Sequence, residues 1–260
     1  MGEPGKVDKF WGDMTAAAHP GLKGHPTLSR PNWRSWTVPV SFHGDGTPVA
    51  GVGKAWARMM DTFSWCSLLA SGATLDFTML IYSVFVNLLA RHSMDHVCRI
   101  MCWSFEALAA GQWPERDAWG RSYTEHFPGS LNAARAGTQL AGGYCGVVWV
   151  IRGDLDYFAN SLRLRHHHSL RPCSWCPCNS FPGDPMAWDE FRVEFAHWMQ
   201  QLWDDIEWRE AHPDRHPLFK VSGIGISTAY PDHTHSKSMG TDGYTYGSVL
   251  WLLVFHIMPG

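Results

Sequence analysis

Residues 143–178 read GYCGVVWVIRGDLDYFANSLRLRHHHSLRPCSWCPC, and this stretch decides the fold. The apolar run from Tyr144 to Ile151 is too short for a buried helix and rich in valine, so it predicts a buried strand. Gly153-Asp154 ends it, and Leu155 to Leu164 reads as a short amphipathic helix with Leu155, Phe158 and Leu162 on one side. Cys173-Ser-Trp-Cys176-Pro-Cys178 follows within a loop from His166 to Gly183. A carboxylate at the end of a buried strand, closely followed by paired thiols, predicts a metal-using centre beside a metal clamp.

Composition permits this. The 260 residues carry 45% hydrophobic and 17% charged side chains, enough to bury a large core in one domain and unlike a disordered chain. Fifteen tryptophans predict an aromatic core and cleft. The formal net charge of −3 lacks the basic excess of most nucleic-acid binders. Seven cysteines, odd in number and irregular in spacing, do not form a disulfide framework. Cys66, Cys98, Cys102 and Cys145 lie in apolar runs and read as small buried hydrophobes of a reducing compartment. The N-terminus has no apolar signal region, and Val249 to Met258 is too short to span a bilayer. The expectation is a soluble, unsecreted protein, nuclear or cytoplasmic, with no membrane partner.

Outward from the opening stretch, Trp36 to His43 (WTVPVSFH) alternates as a strand, with Pro39 better suited to an edge than a centre. Gly44-Asp45-Gly46 reads as a tight turn after it. Lys54 to Leu69 predicts further strands, Leu75 to Arg91 and Met94 to Ala110 helices, the second stopped by Gly111. Pro185 to Ala211 reads as a long helix, with Trp188, Phe191, Phe195, Trp198 and Leu202 at helical spacing. Ile224 to Tyr230 predicts a strand and Thr241 to Met258 a final helix.

Asp45 and Asp154 each follow an apolar strand and a glycine. If the two strands are neighbours, their carboxylates can share Mg²⁺ or Mn²⁺, which prefers oxygen ligands; the alternative is two ordinary turns. Cys173 and Cys176 can reach one Zn²⁺, with Cys178 as a third ligand or with histidines from elsewhere. His166 and His167 read as part of a solvated basic loop. Asp232, His233 and His235 form a third candidate metal cluster, or an incidental loop.

The order Gly-Asp-Gly, Gly-Asp, Cys-x-x-Cys, Asp-x-x-His resembles the ribonuclease-H-like core of eukaryotic cut-and-paste transposases. It is similar to the CACTA and Plavaka groups and, more loosely, to Transib-type recombinases. Asp45 and Asp154 lie 109 residues apart (154 − 45), and Asp154 and Cys173 lie 19 apart (173 − 154). The runs HGDGTPVAGVGKAW, WSFEALAAGQWPERD, GDLDYFANSL, PCSWCPCNSFPGD and MGTDGYTYGSVL resemble transposase-like reading frames of dinoflagellate genomes. The resemblance covers about residues 36–260.

It implies an α/β fold: a ribonuclease-H-like mixed sheet flanked by helices, with a helical cysteine-bearing insertion. Residues 1–35 would be an irregular lead-in, 36–165 the first part of the core, 166–222 the insertion and 223–260 the return to the core. It implies DNA strand cleavage and transfer, with Asp45 and Asp154 catalytic through Mg²⁺ or Mn²⁺. Zinc on Cys173 and Cys176, completed by His233 or His235, would clamp the insertion. Transposon-end DNA would be the partner and a homo-oligomer the assembly. The family's third carboxylate is a glutamate on a later helix. Beyond His235 this chain holds no glutamate and a single acid, Asp242, so the expectation is a truncated or decayed copy. Two other classes stay open: a zinc-stabilised interaction module without catalysis, and an unrelated hydrolase built on Asp232, His233 and His235.

Overall fold

The computed structural model describes residues 5–50, 58–166, 168–189, 192, 194–232 and 242–253. A five-stranded mixed sheet organises them, in the order β3-β2-β1-β4-β5. Its strands are β1 (Thr37–Ala50), β2 (Arg58–Ser67), β3 (Met79–Phe85), β4 (Cys145–Gly153) and β5 (Ala229–Pro231). The first three form an antiparallel meander; β4 and β5 run parallel to β1. The longer helices are α1 (Lys6–Ala16), α2 (Ser93–Ala110), α3 (Leu155–Asn160), α4 (Asp205–Ala211) and α5 (Asp242–Leu252).

Alternation along the central strands, its phase reset on β4 by the register shift opposite Val40–Ser41, sends Phe42, Val148 and Ile151 to one face. There they meet Met101 and Phe105 of α2, Phe158 of α3 and Trp208 of α4 in the principal core. The opposite face carries Val147 and Trp149 against Trp11 of α1. Trp11 is 1% exposed, and its indole N–H donates to the Thr37 carbonyl at 2.7 Å, which satisfies the polar end of a buried ring. Residues 6–16 therefore form a core-covering helix, where the sequence predicts an irregular lead-in.

Three further expectations change. Gly44-Asp45-Gly46 is not a turn: β1 runs through it to Ala50, paired with β2 at Asp45–Thr62 and Gly46–Asp61. Pro39 sits in the central strand of the sheet. Its carbonyl accepts from Leu68 N–H at 3.0 Å, so its nitrogen faces the β2 side beyond the last rung, Val40–Ser67, where the ladder requires no donor. The Leu75–Arg91 segment is mainly the edge strand β3. A nearly continuous apolar run satisfies helical and strand periodicities alike, and its Ile, Tyr, Val and Phe residues favour the strand.

The long helix expected over Pro185–Ala211 is also absent among the described residues. Trp188 N–H donates to Asn179 O at 2.8 Å, and Trp203 N–H to Trp175 O at 2.8 Å, so this backbone is tied to the cysteine loop rather than to itself. Asp204 and Glu207 form a reciprocal capping box that starts α4 afresh. From there Trp208, Leu218, Phe219 and Val221 enter the principal core, so the later part of the expected insertion is core. Trp188 and Leu202 stay exposed.

Both Gly–Asp pairs serve one packing device. The ring of Tyr157, from α3, lies over Gly44 and Gly153; a Cβ on either glycine would overlap it, and one on Gly153 would also come 2.9 Å from the Gly44 carbonyl oxygen. Gly153→Ala should cost about 2–3 kcal/mol, because the ring has no room to retreat in a packed core. The Tyr157 hydroxyl is buried without a hydrogen-bond partner among the described residues, so Tyr157→Phe should change stability by less than about 0.5 kcal/mol. Urea denaturation of the two variants checks this; equal losses would reject the packing argument.

On the α1 face, His25 and His19 pack against Trp149, with ring centroids 6.0 and 4.9 Å away. Burial pushes the His25 pKa down to about 4, partly opposed by Asp205, and its Nδ1 accepts from Thr27 N–H at 3.2 Å. The native state keeps this ring neutral while the unfolded chain protonates it near pH 6.5. Stability contributed by the neutral ring is therefore present above pH 6.5 and lost as pH falls towards 4, by up to about 3 kcal/mol. His25→Asn, whose side chain can still accept from Thr27, should flatten this loss in urea midpoints taken at pH 7 and 4.5; an unchanged slope would reject the assignment.

Candidate functional site

The parallel ladder sets three carboxylates side by side. His43 pairs with Arg152 across β1 and β4, while Arg152 pairs with Tyr230 and Gly153 with Pro231 across β4 and β5. Asp45 and Asp154 each lie two residues past the His43–Arg152 rung. Asp232 follows Pro231, and its backbone N–H donates to Gly153 O at 2.8 Å. Gly44 and Gly153 face Tyr157, so strand alternation turns Asp45, Asp154 and Asp232 to the opposite face, with His43 and Arg152. Asp154 and Asp232 thus lie at the carboxyl ends of parallel strands, where ligands of open α/β sheets bind, and Asp45 lies beside them within β1, just past the end of the β1–β4 ladder.

Asp154 has a second role: it is the N-cap of α3, its carboxylate accepting the Tyr157 N–H. Arg152 turns its guanidinium to the sheet, donating to Ser41 Oγ at 2.9 Å and reaching Cys66 Sγ at 3.7 Å. His43 is half-buried, and burial lowers its pKa; Asp45 opposes that shift most, Arg152 adds to it, and Asp232 and Asp154 also oppose it. One imidazole thus senses all three acids. Asp61, opposite Gly46, has its carboxyl pKa raised by burial and then by the Asp45 charge. Sequence reasoning missed His43 and Asp61. Their signals were a histidine two residues before Asp45 on an alternating strand, and a register known only from the fold.

The cysteine loop is more tightly drawn. Sγ atoms of Cys173, Cys176 and Cys178 all lie within 4.8 Å of one another. Cys176 and Cys178 are buried and Cys173 is half-buried. The Cys173 thiol is raised and the Cys176 thiol lowered chiefly by the hydrogen bond between them, while burial raises Cys178. Arg165 braces the loop: its backbone N–H donates to Ser174 Oγ at 2.9 Å and its Nη1 to the Cys173 carbonyl at 3.1 Å. The Trp175 indole N–H donates to Ala229 O at 3.0 Å, tying the loop to β5. Three convergent sulfurs match the donor chemistry of zinc, so the cluster could hold such an ion. His233 and His235, the sequence candidates for completing it, lie outside the described residues, as does His167.

Among the described residues this is the single group of three or more ligand-type side chains converging within 4.8 Å; Asp45, Asp154 and Asp232 are spread more widely. A second thiol contact was not legible. Cys98 Sγ lies 3.6 Å from His216 Nε2 and 3.9 Å from Cys102 Sγ, and its pKa is lowered first by Cys102 and then by His216. Residue 216 is 118 positions from residue 98, so no local pattern announces the pair.

Comparison with family models, curated proteins and solved structures returns no match. Among the described residues no helix is long and apolar enough to cross a membrane.

Proposed function

We propose that the protein is a divalent-cation-dependent phosphodiester-cleaving enzyme with a ribonuclease-H-like core, of the transposase type its motif order resembles. The observation that carries this reading is the sheet itself. An antiparallel meander followed by two strands parallel to β1, in the order β3-β2-β1-β4-β5, brings Asp154 and Asp232, at the ends of β4 and β5, beside Asp45 within β1 on one face.

Asp45 and Asp154 would hold the cation, with Asp232 beside them as the third carboxylate that the sequence pattern lacks. An oxygen-only donor set suits Mg²⁺ or Mn²⁺, and the wider spacing suits an ion that keeps several waters. When bound, such an ion would supply a more acidic water and neutralise charge on a phosphoryl group. His43, kept largely neutral by burial, would accept or relay a proton at the mouth. Asp61 would add negative charge next to Asp45. The three cysteines with zinc would clamp the loop against β5 through Trp175, as a structural rather than a reacting group.

The test is nicking of supercoiled plasmid by the purified chain with Mg²⁺ or Mn²⁺, against a chelator control. Cleavage supports the reading, and its absence with both ions overturns it. The closer convergence of the sulfurs favours a second reading, a zinc-stabilised nucleic-acid or protein interaction module without catalysis. DNA retention without nicking would select that one.

A further inference from the structure

On the side of the molecule where α3 runs out and α4 ends, the chain forms an open cleft of about 310 Å³. Its walls carry three guanidinium groups, Arg163, Arg165 and Arg215, and two imidazoles, His212 and His216, against a single acid, Asp214. Arg163 is also paired with Asp95 at 3.3 Å, on the exposed rim. Arg215 is held in place by three backbone carbonyls, its Nε donating to Phe219 O at 3.3 Å and its Nη1 to Arg209 O at 3.2 Å and His212 O at 3.3 Å. Arg165 is fixed through Cys173 O. Two of the three cations are thus held in place by backbone carbonyls, so the positive charge they offer an oxyanion needs no further ordering, although Arg215 spends Nε and Nη1 on those carbonyls.

A second observation points the same way. Trp208, which lines the cleft, is 1% exposed, yet its indole Nε1 has no hydrogen-bond partner among the described residues. Its ring stacks on that of His212, with centroids 4.9 Å apart. His212 Nδ1 lies 2.8 Å from Trp208 O and donates to it, which leaves Nε2 of the neutral ring as an acceptor. Buried N–H groups without acceptors are rare in folded proteins and each calls for a partner. A ligand rich in acceptor oxygens and negative charge answers the surplus of cations, beside a wall residue whose indole N–H lacks an acceptor.

We infer that this cleft binds a phosphate-class oxyanion, at a site separate from the strand-end carboxylates and independent of their chemistry. The ligand chemistry has two sources, a small phosphate compound or a phosphodiester of a nucleic-acid strand. Titration of the full chain with inorganic phosphate at constant ionic strength, followed calorimetrically and by indole N–H resonances, tests the site. Saturable binding with shifts confined to a few indole signals is expected.

Arg163→Gln, on the exposed rim, and Arg165→Gln, deeper in, should each weaken binding by about tenfold. Arg163→Gln keeps the test decisive if the deeper variant fails to fold. Competition by a short oligonucleotide lacking terminal phosphates would assign the site to a phosphodiester; phosphate binding that the oligonucleotide leaves untouched would assign it to a small phosphate. No saturable phosphate binding by the wild-type chain, or binding that Arg163→Gln leaves unchanged, would overturn the inference.

Discussion

Asp154→Asn is expected to leave stability within about 0.5 kcal/mol of wild type and to reduce divalent-dependent DNA cleavage by roughly 10²-fold or more. The two effects separate because Asp154 does two things. As N-cap of α3 it accepts the Tyr157 N–H, and asparagine serves there about as well as aspartate. As a strand-end carboxylate beside Asp45 and Asp232 it contributes a full negative charge that an amide cannot supply to a hard cation. Asp154→Ala should lose cleavage and also about 1 kcal/mol of stability, since alanine cannot cap. Asp45 caps no helix, so Asp45→Asn should reproduce the loss of cleavage alone. Asp232→Asn then asks whether the acid at the end of β5 belongs to the same set. Urea melts beside plasmid nicking separate the outcomes. Cleavage that survives both Asp45→Asn and Asp154→Asn would end the carboxylate reading.

This double role also shows what a sequence can and cannot reveal. The strand and the helix after it were legible because each is a local pattern, a valine-rich run and apolar spacing, whereas the cap that Asp154 provides was not read. The helix Ser93–Ala110 was legible for the same reason, with Gly111 in the left-handed conformation at φ 69° closing it. Gly44 was misread because its reason is not local. Gly-Asp-Gly has turn composition, but the glycine is required by a ring 113 residues later (157 − 44) in the sequence. The Trp188–Leu202 spacing failed as a helix because Asn179 and Trp175 claim the backbone groups a helix would use, partners the spacing does not reveal. Asp45 and Asp154 were singled out as acids following strands, a setting that holds for Asp154 but not for Asp45, which lies within β1. Asp232 was named in a cluster with His233 and His235, which lie outside the described residues; its place beside Asp154 depends on β5 lying parallel to β4. The cysteine cluster was legible from spacing alone, because two residues between thiols leave little freedom in where the sulfurs go.

That cluster carries the largest stability effect. The purified chain should contain one zinc per molecule, and Cys176→Ser should remove it and destabilise the fold by at least about 3 kcal/mol, since binding energy at a structural site is folding energy. The loss would spread because the loop is woven into its surroundings. Trp175 holds β5 through Ala229 O, Trp203 holds Trp175, and Arg165 holds both Ser174 and Cys173. Releasing these contacts frees the short strand β5, whose three residues have little pairing of their own, and with it the position of Asp232. Cleavage should therefore fall in Cys176→Ser even though no sulfur touches the strand-end acids. A zinc chelator should have the same effect on the wild-type chain, and restoring Mg²⁺ alone should not recover activity, which distinguishes a clamp from a reacting metal. Cys66→Ala, outside the cluster, should leave zinc content unchanged, and Cys178→Ser should decide whether the third sulfur is a ligand. Metal analysis and thermal melts give the answer: zinc content unchanged in Cys176→Ser would remove the clamp from this account, and wild-type chain free of zinc after purification in zinc-supplemented buffer would do the same.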